Sequence, residues 1–582
     1  MPAAKNVFAH RRAGPAGLNV APQRHLPMRK NTCVLGIDFG TESGRAVVVE
    51  VRTGRELASV VHSYPHGVLD RSLPGGPRLG PAWALQDPAD YVAVLREAVP
   101  RALKLARIPP EAVIGIGTNF TSCTVLPTDA AGVPLCHKTE FRREPNAWVK
   151  LWKHHAAQRQ ADQVNEVASE RKEAFLPRLG SKVSSEWLVP KVLQTLQEAP
   201  RVYKAAARFI EAGDWIVWQM TGVELRNACA AGYKGFWHKR DGYPGREFFR
   251  ALDRRMENFV PEKLAAPVVP VGTKAGGLTP DMARLMGLRP GTPVTVGIID
   301  AHAAVPGSSV VGPGTLCLVM GTSLCHMLVG KEFRAVPGIC GVVEDGIIPG
   351  YFGYEAGQAG GGDILAWFVK NGVPHEYAQE AKSSRMDMYA LLQRKAAALR
   401  PGESGLVVLD WLNGNRSVLN DADLSGLVVG LTIGTRAEEI YRALMEGLAF
   451  GTRAIIENFE RNGIKIDRIV ACGGLPEKNE LLVQIFADVT GRTVNVAGSA
   501  QTTALGSAMF AAVAAGPASG GYASLTQAAR NMARLKPKSF RPTSAHRKVY
   551  DALYTYYIQL YETFGRGRPD LMKALRKMKQ GM

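Results

Sequence analysis

At 582 residues, 46% hydrophobic and 21% charged, the chain is too long for one core and has the composition of a globular protein, so at least two large domains are expected. No apolar run is long enough to span a bilayer, and the basic opening residues do not read as a secretory signal, so no membrane partner is expected. The formal charge of +19 gathers partly at the ends, in Arg11, Arg12, Arg24, Arg29 and Lys30 and in Arg566, Arg568, Lys573, Arg576, Lys577 and Lys579; without an aromatic-interleaved basic stretch these read as solvated tails, and no nucleic-acid partner is expected.

Residues 1–31 read as a disordered basic lead, with Met28 a candidate start just before the first strand. A first α/β domain is expected over 32–304. It opens with Val34-Leu35-Gly36-Ile37-Asp38-Phe39-Gly40-Thr41-Glu42-Ser43-Gly44-Arg45-Ala46-Val47-Val48-Val49, which reads as strand, glycine turn, strand. Residues 113–118 read as a buried strand running into a loop and return strand closed near Gly132. A helical stretch is expected around 146–168, and the strand 293–299 runs into Asp300-Ala301-His302.

A second domain is expected over 305–564, ahead of a basic tail at 565–582. Residues 316–329 repeat the opening pattern around Gly321-Thr322. Thr435 and Glu438 have the spacing of a capping box, and the helix they open ends at the C-cap signal Asn462-Gly463. The strand 468–472 then meets Gly473-Gly474, and a helix follows over 479–490. Strand, Gly-Gly, helix is a favourable place for a nucleotide's ribose and phosphate. Neither a P-loop nor a G-x-G-x-x-G turn follows any strand.

Two glycine hairpins, one in each half, could grip a nucleotide's phosphates from both sides with turn amides and hydroxyls. Asp38, at the end of the first strand, could hold Mg²⁺ through water, or simply stabilise the turn. Asp300, also at a strand end, could accept a proton or cap the next helix, and the residues alone leave the two readings about equal. The eight cysteines are scattered with no C-x-x-C pair, which argues against a zinc site and fits reduced thiols in a cytoplasm.

The paired Gly-Thr hairpins and the late Gly-Gly turn resemble the actin-like ATPase fold: two ribonuclease-H-like α/β domains with an ATP and sugar cleft between them. Within it, Gly426-x-Val428-x-Gly430-Leu431 and 439–446 resemble a signature of the FGGY carbohydrate kinases, departing at Leu444. Long stretches are similar to members of that family that act on ketopentoses: 151–158, 182–187, 232–237, Ile299-Asp300-Ala301-His302, 353–358 and 409–417. Asn119 departs from the family, which usually has Asp there.

The resemblance implies ATP-dependent, Mg²⁺-assisted phosphorylation of L-ribulose at O5, in L-arabinose use, by a cytoplasmic enzyme; a homodimer is left open. It implies Asp300 as the catalytic base, with Asp38 and Asp300 on the metal side. It places Trp152, Lys234, Glu355 and Asp300 on the sugar; Ser122, small and in a loop expected to reach the cleft, joins them. It places Gly40, Thr41, Ser43, Arg45, Gly321 and Thr322 on the phosphates, and Gly362, Gly473, Gly474 and Asn479 on the adenosine side. Each residue also has a plain reading: Trp152 as core, Lys234 as a surface charge, Glu355 as a partner of an Arg, Arg45 as a solvated strand residue. Two alternatives are a D-ribulose or xylulose kinase of the same family, and an actin-like ATPase that moves a partner and has no sugar kinase activity.

Overall fold

The computed structural model describes residues 32–579; the lead 1–31, with Met28, and residues 580–582 lie outside the described residues. Strands Cys33–Phe39, Ser43–Glu50 and Glu56–Ser63 form an antiparallel meander. Val113–Phe120 pairs parallel with Cys33–Phe39, Pro293–Thr295 and Ile298–Ile299 pair parallel with Val113–Phe120, and Lys274–Gly277 closes that edge antiparallel. The second half repeats this order. Gly314–Met320, Leu324–Gly330 and Phe352–Gln358 form the meander, Ile466–Cys472 and Val494–Ala497 follow in parallel, and Leu535–Phe540 closes the edge. The parallel strands are mostly buried, as in Cys33–Ile37 and Ile469–Cys472, because both faces of the sheets are covered by helices.

The halves meet through two helices. Asp300–Gly307 leaves the first sheet, and Thr502–Ala515 follows the strand Val494–Ala497 of the second. The latter packs on the first sheet rather than its own: a Cβ on Gly36 would lie 1.9 Å from the Ala504 carbonyl oxygen. Where the two helices cross, a Cβ on Gly506 would lie 1.8 Å from the Ala303 carbonyl oxygen. Glycine is therefore needed at both points, so that backbones can touch. The join between the halves is thus backbone-tight, and the chain crosses back over it after the second sheet is nearly complete.

Four expectations change. The strand expected over 293–299 is broken into Pro293–Thr295 and Ile298–Ile299, with Gly297 between them pressed on the Gly213 backbone. The helix expected over 146–168 begins only at Gln158; before it Val149–Lys150 is a short strand paired with Leu85–Gln86, so Trp152 sits on a loop. The helix Ala437–Arg461 is capped one residue later than expected: Glu439 accepts from the Arg436 N–H at 2.6 Å, while the Thr435 hydroxyl accepts from the Thr432 N–H. The basic tail is not merely solvated. Pro569–Lys579 is a helix docked by Lys573 on Asp421 (2.6 Å), by Arg576 on the Ala422 carbonyl (2.6 Å) and by the buried Met572.

Candidate active site

Three neighbouring parallel strands deliver the first group of residues. Asp38 pairs in register with Asn119, and Asn119 with Ile298, so Asp38, Asn119 and Asp300 stand at adjacent strand ends. The Asp300 carboxyl is pushed up to about 7, first by burial and then by the negative charge of Asp38, with the Ala301 N–H pulling it back. The Asp38 carboxyl is also raised by burial, against the pull of Arg45 and a hydrogen bond from Thr503. Asn119 donates to the Ser507 hydroxyl at 2.9 Å, and its amide oxygen is buried without a protein partner.

This strand-end set is a half-buried pair of carboxylates, of which Asp38 has Arg45 as its ion-pair partner at 3.8 Å. Among the described residues no three His, Cys, Asp or Glu side chains converge on a metal position. A divalent ion would be held here by Asp38 and Asp300 with water and phosphate oxygens completing the shell, an arrangement that suits Mg²⁺.

Beside it lies an ion pair that joins the halves. Lys234 closes the helix Ala228–Gly235, and Glu355 lies on Phe352–Gln358. The Lys234 ammonium donates to both Glu355 carboxylate oxygens, at 3.0 and 2.8 Å, and lies 5.6 Å from the Trp187 ring centre. Burial opposes both charges. The neighbouring Glu355 nonetheless holds Lys234 above the usual ammonium range, and Lys234 and His302 hold Glu355 below the usual carboxylate range. His302, 3.5 Å from Glu355, is kept neutral by burial and lies against the Tyr233 ring.

The first hairpin turn closes with the Gly40 N–H donating to the Ser43 carbonyl at 2.9 Å. The Trp152 indole N–H donates to the Thr41 hydroxyl (3.0 Å) and the Gln86 amide to the Thr41 carbonyl (2.7 Å), which fixes the turn against the loop that carries Trp152. Ser122 is half-buried in the turn after Val113–Phe120. Arg45 is half-buried and paired. It lies 3.8 Å from Asp38 and donates to the Gln501 side chain at 2.5 Å.

The second hairpin turn meets two glycine segments. The Gly362 N–H donates to the Gly321 carbonyl at 2.9 Å and the Asp363 N–H to that of Thr322 at 3.4 Å. Gly473 has φ +94° and its Cα faces the Met320 carbonyl, while Gly474 opens onto free space. Asn479 stands apart from this group. It is buried, caps Glu480–Thr490 by accepting from the Leu482 N–H, and turns its amide N–H to the Met445 sulfur. The cap uses one acceptor position of its amide oxygen and the sulfur contact one of its two N–H donors.

The sequence reading missed Gln501, Thr503 and Ser507, which reach Arg45, Asp38 and Asn119 from the helix of the opposite half. Thr503 and Ser507 share a helix face at i, i+4, a weak signal in a run that otherwise reads as an apolar helix. It also missed Glu186 and Arg416, 3.5 Å apart across the halves.

Residues 33–307 match the N-terminal domain of the FGGY family of carbohydrate kinases, and residues 316–515 match its C-terminal domain. The chain belongs to the FGGY family. It is 56% identical over 548 residues to the ribulokinase of Geobacillus thermodenitrificans (strain NG80-2), covering 94% of this chain and 97% of that one. It is 48% identical over 549 residues to that of Mycolicibacterium smegmatis, covering 94% and 96%. Among solved structures, the xylulose kinase from Rhodospirillum rubrum superposes with a TM-score of 0.74 at 22% identity over 91% of this chain and 99% of that one. The gluconate kinase from Lactobacillus acidophilus gives 0.76 at 17% identity over 93% and 99%. These structures share the two-domain FGGY fold, an actin-like α/β architecture. Among the described residues no helix is long and apolar enough to cross a membrane.

Proposed function

We propose that the protein transfers the γ-phosphoryl group of ATP to the C5 hydroxyl of L-ribulose, giving L-ribulose 5-phosphate and ADP. The observation that carries this reading is the position of Asp300, a carboxyl raised to about 7 at a strand end, near the buried pair Lys234–Glu355. The relatives named ribulokinase, at 48–56% identity over nearly the whole chain, support the choice of sugar.

In this mechanism Lys234 and Glu355 orient the ketose by hydrogen bonds to its hydroxyls, and Trp152 offers a flat face to its C–H groups. Asp300, ionised, takes the proton of the C5 hydroxyl. The freed oxygen bonds to the γ-phosphorus as the bond to the β,γ-bridging oxygen breaks, and ADP leaves with that electron pair. Gly40, Thr41, Ser43, Gly321 and Thr322 surround the phosphates with turn amides and hydroxyls; Gly362, Gly473 and Gly474 leave room for the rest of the nucleotide. Arg45 serves by holding Asp38, its partner in the structure. Bound Mg²⁺, held by Asp38 and Asp300, supplies charge neutralisation on the phosphates.

A coupled ADP assay over ketoses, aldoses and polyols tests the reading. L-ribulose is expected to be best, with D-ribulose and the xyluloses slower and glycerol poor. Slow ADP release independent of any sugar, or a best substrate outside the ketopentoses, refutes it.

A further inference from the structure

Behind the sugar-facing loops lies a lysine that no catalytic step uses. Lys191, on the helix Leu188–Glu198, is 1% exposed. Its ammonium has no carboxylate within ion-pair distance among the described residues. Instead it donates to three backbone carbonyls: Cys123 at 2.5 Å, Leu151 at 2.8 Å and Lys150 at 3.3 Å. Cys123 directly follows Ser122, and Leu151 directly precedes Trp152. One buried cation therefore ties together the two loops that form the sugar-facing walls, from behind. Burying a lysine is unfavourable unless its charge is well solvated by fixed dipoles, so a purely structural position would more easily be filled by an apolar side chain.

The geometry on both sides supports a positioning role. Cys123 has φ +55°, a left-handed conformation that a residue with a Cβ adopts at a cost. Its turn is held by the Thr121 and Thr124 hydroxyls, 2.9 Å apart, by the Thr124 N–H on Glu211 (3.0 Å), and by Lys191. On the other wall, Trp152 is fixed to Thr41 of the first hairpin at one end and, through Leu151, to Lys191 at the other. The neighbouring Lys150 provides a natural contrast. It is equally buried, but its ammonium goes to Asn146, Gln194, Thr195 and the Lys191 carbonyl, and to neither of the two walls.

We propose that Lys191 is a positioning residue that sets the distance between the Ser122–Cys123 turn and Trp152, and so governs sugar selection without touching the sugar. The proposal rests on the ketopentose kinase reading above. The test compares Lys191→Met with Lys150→Met and wild type. Losing a buried, charged donor to two walls is expected to raise the L-ribulose KM about ten- to a hundredfold. The ATP KM should stay within about twofold, and the preference for L-ribulose over D-ribulose should narrow. Lys150→Met should lower the melting temperature without splitting the two KM values. Equal rises in both KM values for Lys191→Met, or the same split in Lys150→Met, overturn the proposal.

Amide hydrogen exchange gives a readout independent of turnover: residues 118–128 and 148–156 should both exchange faster in Lys191→Met and not in Lys150→Met. If wild type phosphorylates no ketopentose, the functional reading fails, and exchange alone decides whether Lys191 holds the two loops. If Lys191→Met does not fold, Lys191→Gln, which keeps an amide donor on a shorter chain, is expected to show the same KM split at smaller size; no split there overturns the proposal.

Discussion

The two glycine hairpins share a plan and differ in what holds them. In the first, Phe39 pairs with Gly44, leaving Gly40 to Ser43 in the turn; in the second, Met320 pairs with Leu324, leaving only Gly321 to Ser323. The longer turn is held by side chains, Trp152 and Gln86 on Thr41, and lies beside Asp38 and Arg45. The shorter turn is held by backbone, with the Gly362 N–H on the Gly321 carbonyl and Gly473 pressed on Met320. One wall of the cleft is thus built from buried charge, and the other from glycine. Charged groups can read a hydroxyl pattern and move a proton. Glycines can only make room and offer amides, which suits the part of a nucleotide that is the same in every turnover. Substitutions on the two walls should therefore fail in different ways.

The largest effect is expected at Asp300. A positioned base contributes roughly 10²–10⁴-fold, so Asp300→Asn should lose at least about a hundredfold in kcat while nucleotide binding by calorimetry stays within about threefold. The same change should stabilise the ligand-free protein. The Asp300 carboxyl stands at about 7 in the fold, above its usual 3.8. The protonated form is favoured by folding, so this contribution is full below about pH 4 and is lost as pH rises through 7. Asn removes that pH-dependent penalty, so the gain in stability should be large at pH 8 and small at pH 4. Calorimetric melts at the two pH values check this. A variant with near-normal kcat, or one no more stable than wild type at pH 8, would break the assignment.

A smaller but more diagnostic effect is expected at Lys234. Lys234→Met leaves the Glu355 carboxylate buried and unpaired, which typically costs about 3–5 kcal/mol. It should also raise the sugar KM far more than the ATP KM. Replacing both partners, Lys234→Met with Glu355→Leu, should recover most of the melting temperature and none of the sugar affinity. Recovery of both together would make the pair a structural strut rather than part of the sugar wall.

The sequence reading succeeded where local pattern decides. Strand-then-glycine marks both hairpins, and an apolar run closing on a carboxylate marks the strand-end positions of Asp38 and Asp300 though not their roles, because these arrangements are completed within a few residues. It failed where partner choice is tertiary. Nothing local says that the Arg45 guanidinium crosses to Gln501, 456 residues away, or that the Asn479 amide N–H meets the Met445 sulfur. Trp152 was placed on a helix because Val149–Lys150 is a strand only by virtue of its partners Leu85–Gln86 and Val125. The C-terminal helix was hidden because its basic residues dominate its composition, while a single buried Met572 and the remote Asp421 fix it in place.

The smallest expected effect separates two adjacent glycines on the nucleotide wall. Gly473 has φ +94°, and a Cβ there would lie 2.6 Å from the Met320 carbonyl oxygen, so Gly473→Ala meets both backbone strain and a steric clash. Such strain costs on the order of 1–3 kcal/mol, and it should appear as a lower melting temperature together with a higher ATP KM, since the turn itself shifts. At Gly474 an added Cβ meets nothing within 4 Å, and the residue opens the short helix Gly474–Lys478, where Ala is at least as good as Gly. Gly474→Ala should therefore leave the melting temperature unchanged or slightly raised. If the nucleotide lies against that open face, the methyl group fills space the ligand needs, and the ATP KM alone rises by a few-fold with the sugar KM untouched. An unchanged ATP KM in a normally stable Gly474→Ala protein would mean that the open face is solvent only, and the glycine wall would then begin at Gly473 and the second hairpin.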